Sequence, residues 1–274
     1  MYVPEELRLK KPEEVITEIT NFIKSYVNRA RASGVVVGLS GGVDSSTVLA
    51  LAIRALGKDR VFGLIMPLRF TPKRDIEDAV ELAKSFGVKY KLVQIDNIEN
   101  SYKESLGVVE SPDLKIPFAN LRARIRMTIL YFYANSLNYL VMGTGDKSEL
   151  LIGYFTKYGD GGVDFLPIGH LYKTQVRQLA LALGIPRHIA LKPSSPQLYP
   201  GHKAIDEIPL DYDKLDLILY YLFDKNMNPH DIAKHLGFSI DVINRIIEMH
   251  INSFHKREPP PTLRPLPKLS ISDR

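Results

Sequence analysis

The chain has 274 residues, 45% apolar and 24% charged, with a formal net charge of +5, a composition that suits a globular protein with a substantial core rather than a disordered chain. It contains no cysteine, which excludes disulfides, thiolate metal sites, a cysteine nucleophile and any route that carries sulfur or a glutamyl group on a protein thiol. No run approaches the roughly 20 apolar residues of a membrane span, and the amino-terminal MYVPEELRLKKPEE lacks a signal-peptide core, so a soluble, cytoplasmic protein is expected.

Residues 12 to 32 predict an amphipathic helix, with Val15, Ile16, Ile19, Ile23 and Val27 near helical spacing and Gly34 as its stop. VVVGL (35–39) is short, apolar and β-branched, the pattern of a parallel strand buried on both faces. A helix over 44–56, a strand over 60–67, a helix opening at Thr71–Pro72 and a strand over 89–96 follow. Residues 97 to 118 carry Pro112 and Pro117 and read as an irregular loop or lid. A long helix over 118–138 leads to a fourth strand, YLVMGT (139–144). The glycine-punctuated stretch 145–167 reads mostly as loop, and KTQVRQLALALG (173–184) as a further helix. Three short helices are expected at 211–223, 229–236 and 240–253, before a Pro-rich tail.

Strand–helix alternation of this kind predicts an α/β fold, a doubly wound parallel sheet flanked by helices, with a small C-terminal helical region. The expected organisation is one domain over 1–257, with its sheet core near 33–190 and helical region near 205–257, and the tail at 258–274.

The segment GLSGGVDSS (38–46) lies between strand and helix. Backbone N–H groups there point at a ligand and the helix dipole favours an anion. The usual phosphate loop carries a lysine, G-x-x-x-x-G-K-[ST]. This one has none, and Asp44 is an acid where a cation is expected. A carboxylate beside a phosphate makes sense with Mg²⁺ between them, which points to a loop gripping a pyrophosphate end rather than handing over the terminal phosphate. A second block, GTGDKSELLIGYFTKYGDGGVDFLPIGHLYKTQV (143–176), also follows a strand, so it shares the carboxyl end of the sheet where open α/β folds bind ligands. It mixes Asp146, Glu149, Asp160 and Asp164 with Lys147, Lys157 and Lys173.

SGGVDSS resembles the signature of the ATP pyrophosphatase superfamily, which cleaves ATP between the α- and β-phosphates. GTGDKSE with GYFTKYGDGGVD, preceded by NLRARIRM and followed by KPSSPQL and FHKREPP, resembles the ammonia-dependent NAD synthetase family over nearly the whole chain. The resemblance implies an ATP-dependent ligase in which the nicotinate carboxylate of deamido-NAD is adenylated and ammonia then displaces AMP. It implies ATP contacts from Gly38, Leu39, Ser40, Gly41, Gly42, Val43, Asp44, Ser45, Thr144, Lys173 and Ser195. Asp44 and Glu149 would hold Mg²⁺. Arg124, Lys157, Asp164, His255 and Lys256 would meet deamido-NAD, and Asp160 would orient or deprotonate the nitrogen source. The family forms homodimers, and the helix at 119–137, whose segment MTILYFYANSL is apolar nearly all round, is the expected interface. Gln197, Pro196 and His202 depart from the family pattern, in which aspartate, a small residue and glutamine are frequent.

The chain is too short for an added glutaminase domain and has no cysteine, so free ammonia is the expected donor. Another AMP-forming member of the superfamily, acting on a purine nucleotide or tRNA, is the alternative. Residues 229–253 also resemble a helix-turn-helix with Gly237 in the turn. The second helix carries Asp241, Arg245 and Glu248 and is not basic, which argues against nucleic acid as a partner.

Overall fold

The computed structural model describes residues 3 to 263. Four strands, β1 (Gly34–Gly38), β2 (Val61–Ile65), β3 (Lys89–Leu92) and β4 (Tyr139–Val141), form one sheet of order β3-β2-β1-β4. All three pairings are parallel, with Val36 opposite Phe62 on one side and Val141 on the other.

The β-branched run of β1 is buried on both faces, as parallel strands covered by helices must be. Val35 and Val37 pack with α1 (Pro12–Arg29), α2 (Val43–Leu56), α3 (Lys73–Ser85) and α7 (Lys173–Ala182). Val36 faces the opposite core, with Leu64, Val141 and, from α5 (Lys115–Leu137), Ile125 and Ala134. The chain steps from β1 to β2 to β3, then returns through α4 (Asp96–Leu106) and α5 to place β4 against the other edge of β1. The strand order therefore reverses at β1, and a crevice opens outside its carboxyl end.

Two segments differ from the reading of the sequence. Residues 97–118 were expected to be irregular, yet α4 occupies their first half and ends at left-handed Gly107. The two prolines misled because neither interrupts a helix. Pro112 opens a single 3₁₀ turn and Pro117 sits in the first turn of α5, where the backbone N–H has no intrahelical partner to lose. The second is α6 (Lys147–Ile152), inside a stretch read mostly as loop. Its start is fixed by a capping box in which the Asp146 side chain accepts from Glu149 N and Glu149 reaches back to Asp146 N.

Beyond the short α8 (Arg187–Ala190), a third core gathers α9 (Tyr212–Leu219), α10 (Pro229–Leu236) and α11 (Ile240–Asn252) around Leu215, Ile218, Ile232, Ile243 and Ile246. Of the helix-turn-helix pattern, the turn is present at left-handed Gly237. Its second helix, however, buries Ile243 and Ile246 in this core and packs on α6. Leu7, Ile152 and Tyr172 join the same core, so the helical region is continuous with the sheet end. A short α12 (Phe254–Arg257) follows. Of the Pro-rich tail expected at 258–274, residues 264–274 lie outside the described residues. No helix among the described residues is long and apolar enough to cross a membrane.

Candidate active site

The turn out of β1 is held together by its own serines. Ser45 Oγ accepts from Ser40 N at 3.2 Å, lies 3.1 Å from Ser40 Oγ and donates to the Gly42 carbonyl. Ser46 Oγ donates to the same carbonyl at 2.7 Å. Gly41 takes a left-handed φ of 74°, and a Cβ there would sit 2.2 Å from the Asp75 carbonyl oxygen. Only glycine allows this packing of the turn on the start of α3. The loop borders a cleft of about 960 Å³ at the carboxyl end of the sheet.

Residues 38 to 45 apart from Gly41 line that cleft, together with Thr144, Glu149, Asp160 and Ser195. Beneath it lies Lys173, fully buried at the first position of α7. Its ammonium is 2.7 Å from Asp44 Oδ2, 2.8 Å from Glu149 Oε1 and 3.0 Å from Asp146 Oδ2. Burial alone pushes a lysine down, but these three carboxylates outweigh it and raise Lys173 well above its ordinary value. The acids respond in the opposite sense to their own crowding. Burial and neighbouring carboxylates push Asp146 up to about 7 and Glu149 up to about 8, against the pull of Lys173.

Three carboxyl groups share one ammonium in a water-poor place, and Asp44 Oδ1 is buried with no hydrogen-bond partner. That donor set fits a hard divalent cation held by Asp44 and Glu149. Among the described residues no three acidic or histidine side chains are arranged to cage a metal by themselves. Such an ion would thus complete its shell with phosphate oxygens and water, as Mg²⁺ commonly does.

The other expected residues fall in two places. Arg124 Nη2 donates to the Lys157 carbonyl at 3.3 Å, and Lys157 Nζ donates to the His255 carbonyl. Lys256 Nζ donates to the carbonyls of Gly153 and Phe155, each at 2.8 Å. The cationic side chains of Arg124, Lys157 and Lys256, with the His255 backbone, thus border the loop 153–160, and none of the four residues lines the cleft. Asp164 stands apart, accepting from Val141 N at 2.7 Å and from Tyr131 Oη at 3.2 Å at the end of β4. Asp160 links the two regions. It lines the cleft and accepts from Thr156 N at 2.8 Å, and burial raises its carboxyl against the pull of Lys256 and Arg126.

The three arginines of α5 separate as helical geometry requires. Arg122 is buried, with Nη2 2.7 Å from Glu99 and 2.8 Å from Glu110, and Nη1 donating to the Leu198 carbonyl. Arg126 turns into the cleft, donates to the Met66 carbonyl at 3.1 Å, and is pushed down to about 10 by burial. Arg124 alone faces outward. The departures around Ser195 have local partners: Gln197 Nε2 donates to Asp75 Oδ2, and the His202 carbonyl accepts from Ser195 Oγ.

A phosphate loop, a lysine shared among acids and a cleft at the sheet's switch point describe a nucleotide site without choosing its reaction. The NAD synthase family model matches residues 15–260. The chain belongs to the NAD synthase family.

Among curated family members, the NH(3)-dependent NAD(+) synthetase of Hyperthermus butylicus is 57% identical over 254 residues, covering 92% of this chain and 91% of its own. Among solved structures, the NMN synthetase of Francisella tularensis superposes with a TM-score of 0.81 at 30% identity, over 92% of this chain and 98% of that one. The NH3-dependent NAD synthetase of Campylobacter jejuni, in complex with the nitrate ion, superposes with a TM-score of 0.76 at 31% identity, over 93% and 100%.

Three residues close to the family's site chemistry are given no role by the sequence reading. Asp146 was visible in principle, because D-x-x-E before an apolar run is a capping-box pattern. Arg126 was not separable from Arg122 without knowing which face of α5 meets the sheet. Lys192 carries no local signal at all. Its partner Gly41 is 151 residues away.

Proposed function

We infer that this protein amidates the nicotinate carboxylate of deamido-NAD with ammonia and consumes ATP to AMP and pyrophosphate. One observation carries the chemistry: the phosphate loop, Asp44, Glu149 and Lys173 converge at the switch-point cleft. Family membership supplies the acceptor, and the Hyperthermus relative, matched over nearly its full length, supports ammonia as the nitrogen source.

In the first step a carboxylate oxygen of deamido-NAD attacks the α-phosphorus of ATP, the bond to the bridging oxygen breaks and pyrophosphate leaves. In the second, ammonia adds to the acyl carbon, the adduct's nitrogen gives up a proton to solvent, AMP leaves with the electron pair of its bond, and the amide remains. The protein's part is to position reactants and offset charge. N–H groups of the 38–45 loop cradle the phosphates, Thr144 and Ser195 contact ATP from the cleft wall, and Lys173, its ammonium already shared among three acids, acts on ATP from below through Asp44 and Glu149. Mg²⁺ on Asp44 and Glu149 would neutralise the leaving pyrophosphate. Ammonium has no lone pair and must first lose a proton; Asp160, at the cleft with its carboxyl raised, is placed to take it. The row of Arg124, Lys157, His255 and Lys256 meets the part of deamido-NAD beyond the loop 153–160, and Asp164 supports that region from β4.

Three coarser readings accompany this one. The chain acts as a single domain extending to residue 257. It works as a homodimer through α5, whose apolar carboxyl-terminal half leaves Phe132 66% and Leu137 40% exposed. A monomer by light scattering at micromolar concentration would contradict this. A cytoplasmic setting suits a cysteine-free enzyme acting on charged nucleotides.

The likeness to the Francisella protein favours one second reading, in which nicotinate mononucleotide is the acceptor. The deciding assay supplies ATP, Mg²⁺ and ammonium with either acceptor. Equal yields of NAD, AMP and pyrophosphate from deamido-NAD are expected. Turnover confined to the mononucleotide would transfer the assignment, and ATP cleavage indifferent to both would overturn it.

A further inference from the structure

The phosphate loop lacks a lysine of its own, but one reaches it from the strap that carries Ser195, on the wall of the same cleft. Lys192 Nζ lies 2.8 Å from the Gly41 carbonyl, 2.7 Å from Asp75 Oδ1 and 2.5 Å from Asp78 Oδ2. The three acceptors use all three ammonium protons. Its side chain is only 21% exposed, and two carboxylates already balance its charge. It is therefore a poor candidate for an independent phosphate ligand.

The bond to Gly41 has a particular consequence. The peptide joining Gly41 to Gly42 is flanked by two residues without Cβ, so its plane can rotate with little steric penalty. In one orientation the carbonyl meets the Lys192 ammonium, and the N–H of the same peptide donates to Ser40 Oγ at 3.3 Å. In the other the carbonyl points at the bound phosphate, where its negative end repels the ligand. The protein must select between them, and glycine does not. The Lys192 ammonium supplies the stronger selection, because its charge-assisted bond to that carbonyl is available in one orientation only.

We propose that Lys192 is a positioning residue for the phosphate loop, holding the Gly41 carbonyl on its ammonium and off the bound phosphate so that the loop presents N–H groups to the pyrophosphate portion of ATP.

Two further contacts fix where that ammonium sits. Asp78, almost wholly buried, also lies 3.0 Å from Arg74 Nε and 3.2 Å from His188 Nε2. Asp75 takes Gln197 Nε2 on its other oxygen. Lys192 and Gln197 flank Ser195 in KPSSPQL. The strap that carries Ser195 is thus anchored on α3 at both sides, and the same anchor braces the phosphate loop.

The proposal rests on the reading that this loop binds ATP, and the test separates the two. Inorganic pyrophosphate and ATP binding are measured by calorimetry on the full chain, with steady-state kinetics beside them. Lys192→Met should weaken both ligands on the order of tenfold or more, the loss of one charge-assisted bond. KM for deamido-NAD should stay within about twofold, since that substrate does not use the loop. Because Lys192→Met strands two carboxylates and so endangers folding, the triple variant Lys192→Met/Asp75→Asn/Asp78→Asn is made as well. It relieves the stranded charge without restoring the bond to Gly41, so its melting temperature should recover while its ligand affinity stays low. Near-normal pyrophosphate affinity in either variant would overturn the proposal, and recovery in the triple alone would assign Lys192 to charge balance. A wild-type chain that binds neither pyrophosphate nor ATP would instead remove the nucleotide reading beneath it.

Discussion

Replacing Lys173 by methionine tests the centre of the site most directly. The methionine keeps most of the side-chain volume and removes the ammonium. The ammonium is fully buried and sits 2.7 to 3.0 Å from Asp44, Glu149 and Asp146. Without it, three carboxylates face one another, and Asp146, which has no solvent exposure, loses its only ionic partner in the cluster. Removing one partner from a buried ion pair costs about 3–5 kcal/mol, because a charge is left unsolvated. For a chain of this size that corresponds to a fall in melting temperature on the order of 10 °C. The companion variant Lys173→Met/Asp146→Asn removes an acid together with the lysine. The introduced asparagine keeps a side-chain oxygen to cap Glu149 N, so α6 retains its start. The double variant should be about 1–3 kcal/mol more stable than the summed losses of Lys173→Met and Asp146→Asn predict, which is the coupling a double-mutant cycle reads. Urea denaturation and thermal melting of all four proteins give the stabilities, and pyrophosphate calorimetry gives the effect on the site. Additive losses, or a Lys173→Met protein as stable as the parent, would show that the ammonium is not what neutralises this cluster.

Gly41→Ala should weaken ATP by about a hundredfold or more and destabilise the fold by more than about 1 kcal/mol. Its Cβ would lie 2.2 Å from the Asp75 carbonyl oxygen at a φ of 74°; unchanged KM for ATP would contradict the geometry of the loop. Asp44→Asn and Glu149→Gln should each weaken Mn²⁺ binding, read by electron paramagnetic resonance on the protein with pyrophosphate, by about tenfold to a hundredfold. Equal Mn²⁺ affinity in all three proteins would remove the metal from these acids. At low pH the buried Glu99 is the group to follow. Burial pushes it up, but hydrogen bonds from Arg122 and Lys103 outweigh this and hold it below its ordinary 4.5. A depressed folded value means the unfolded chain takes the proton more readily, so this stability is present above pH 4.5 and drains away as pH falls through the folded value. Glu99→Gln should therefore lower the urea midpoint at pH 7 and flatten its decline below about pH 5; parallel curves for the two proteins would refute the linkage.

Much of the fold was legible because its signals are local. The run VVVGL marked β1, and alternating strands and helices implied the parallel sheet without reference to any distant residue. The phosphate loop was readable for the same reason, since a strand end, glycines and a helix start are consecutive in the chain. Local signals misled where several structures share one composition. The prolines near α4 and the glycines around α6 were read as loop, although a capping box was present in DKSELL.

The sequence by itself determined the parallel α/β class, the anion-binding turn, the absence of thiol chemistry and, through its motifs, the family. Only the tertiary structure decided which charges meet. Asp44, Asp146, Glu149 and Lys173 come from three separate segments, and their proximity follows from helix packing rather than spacing. It also separated Arg122, in a buried ion pair, from Arg126, in the cleft, although spacing puts both on one face of α5 and Arg124 on another. Lys192 is the clearest case, because it reaches Gly41 in the phosphate loop from 151 residues away. Hydrophobic periodicity and turn chemistry act over a few residues and are written along the chain. Coulombic partners are set by distances in space, which exist only once the chain has folded.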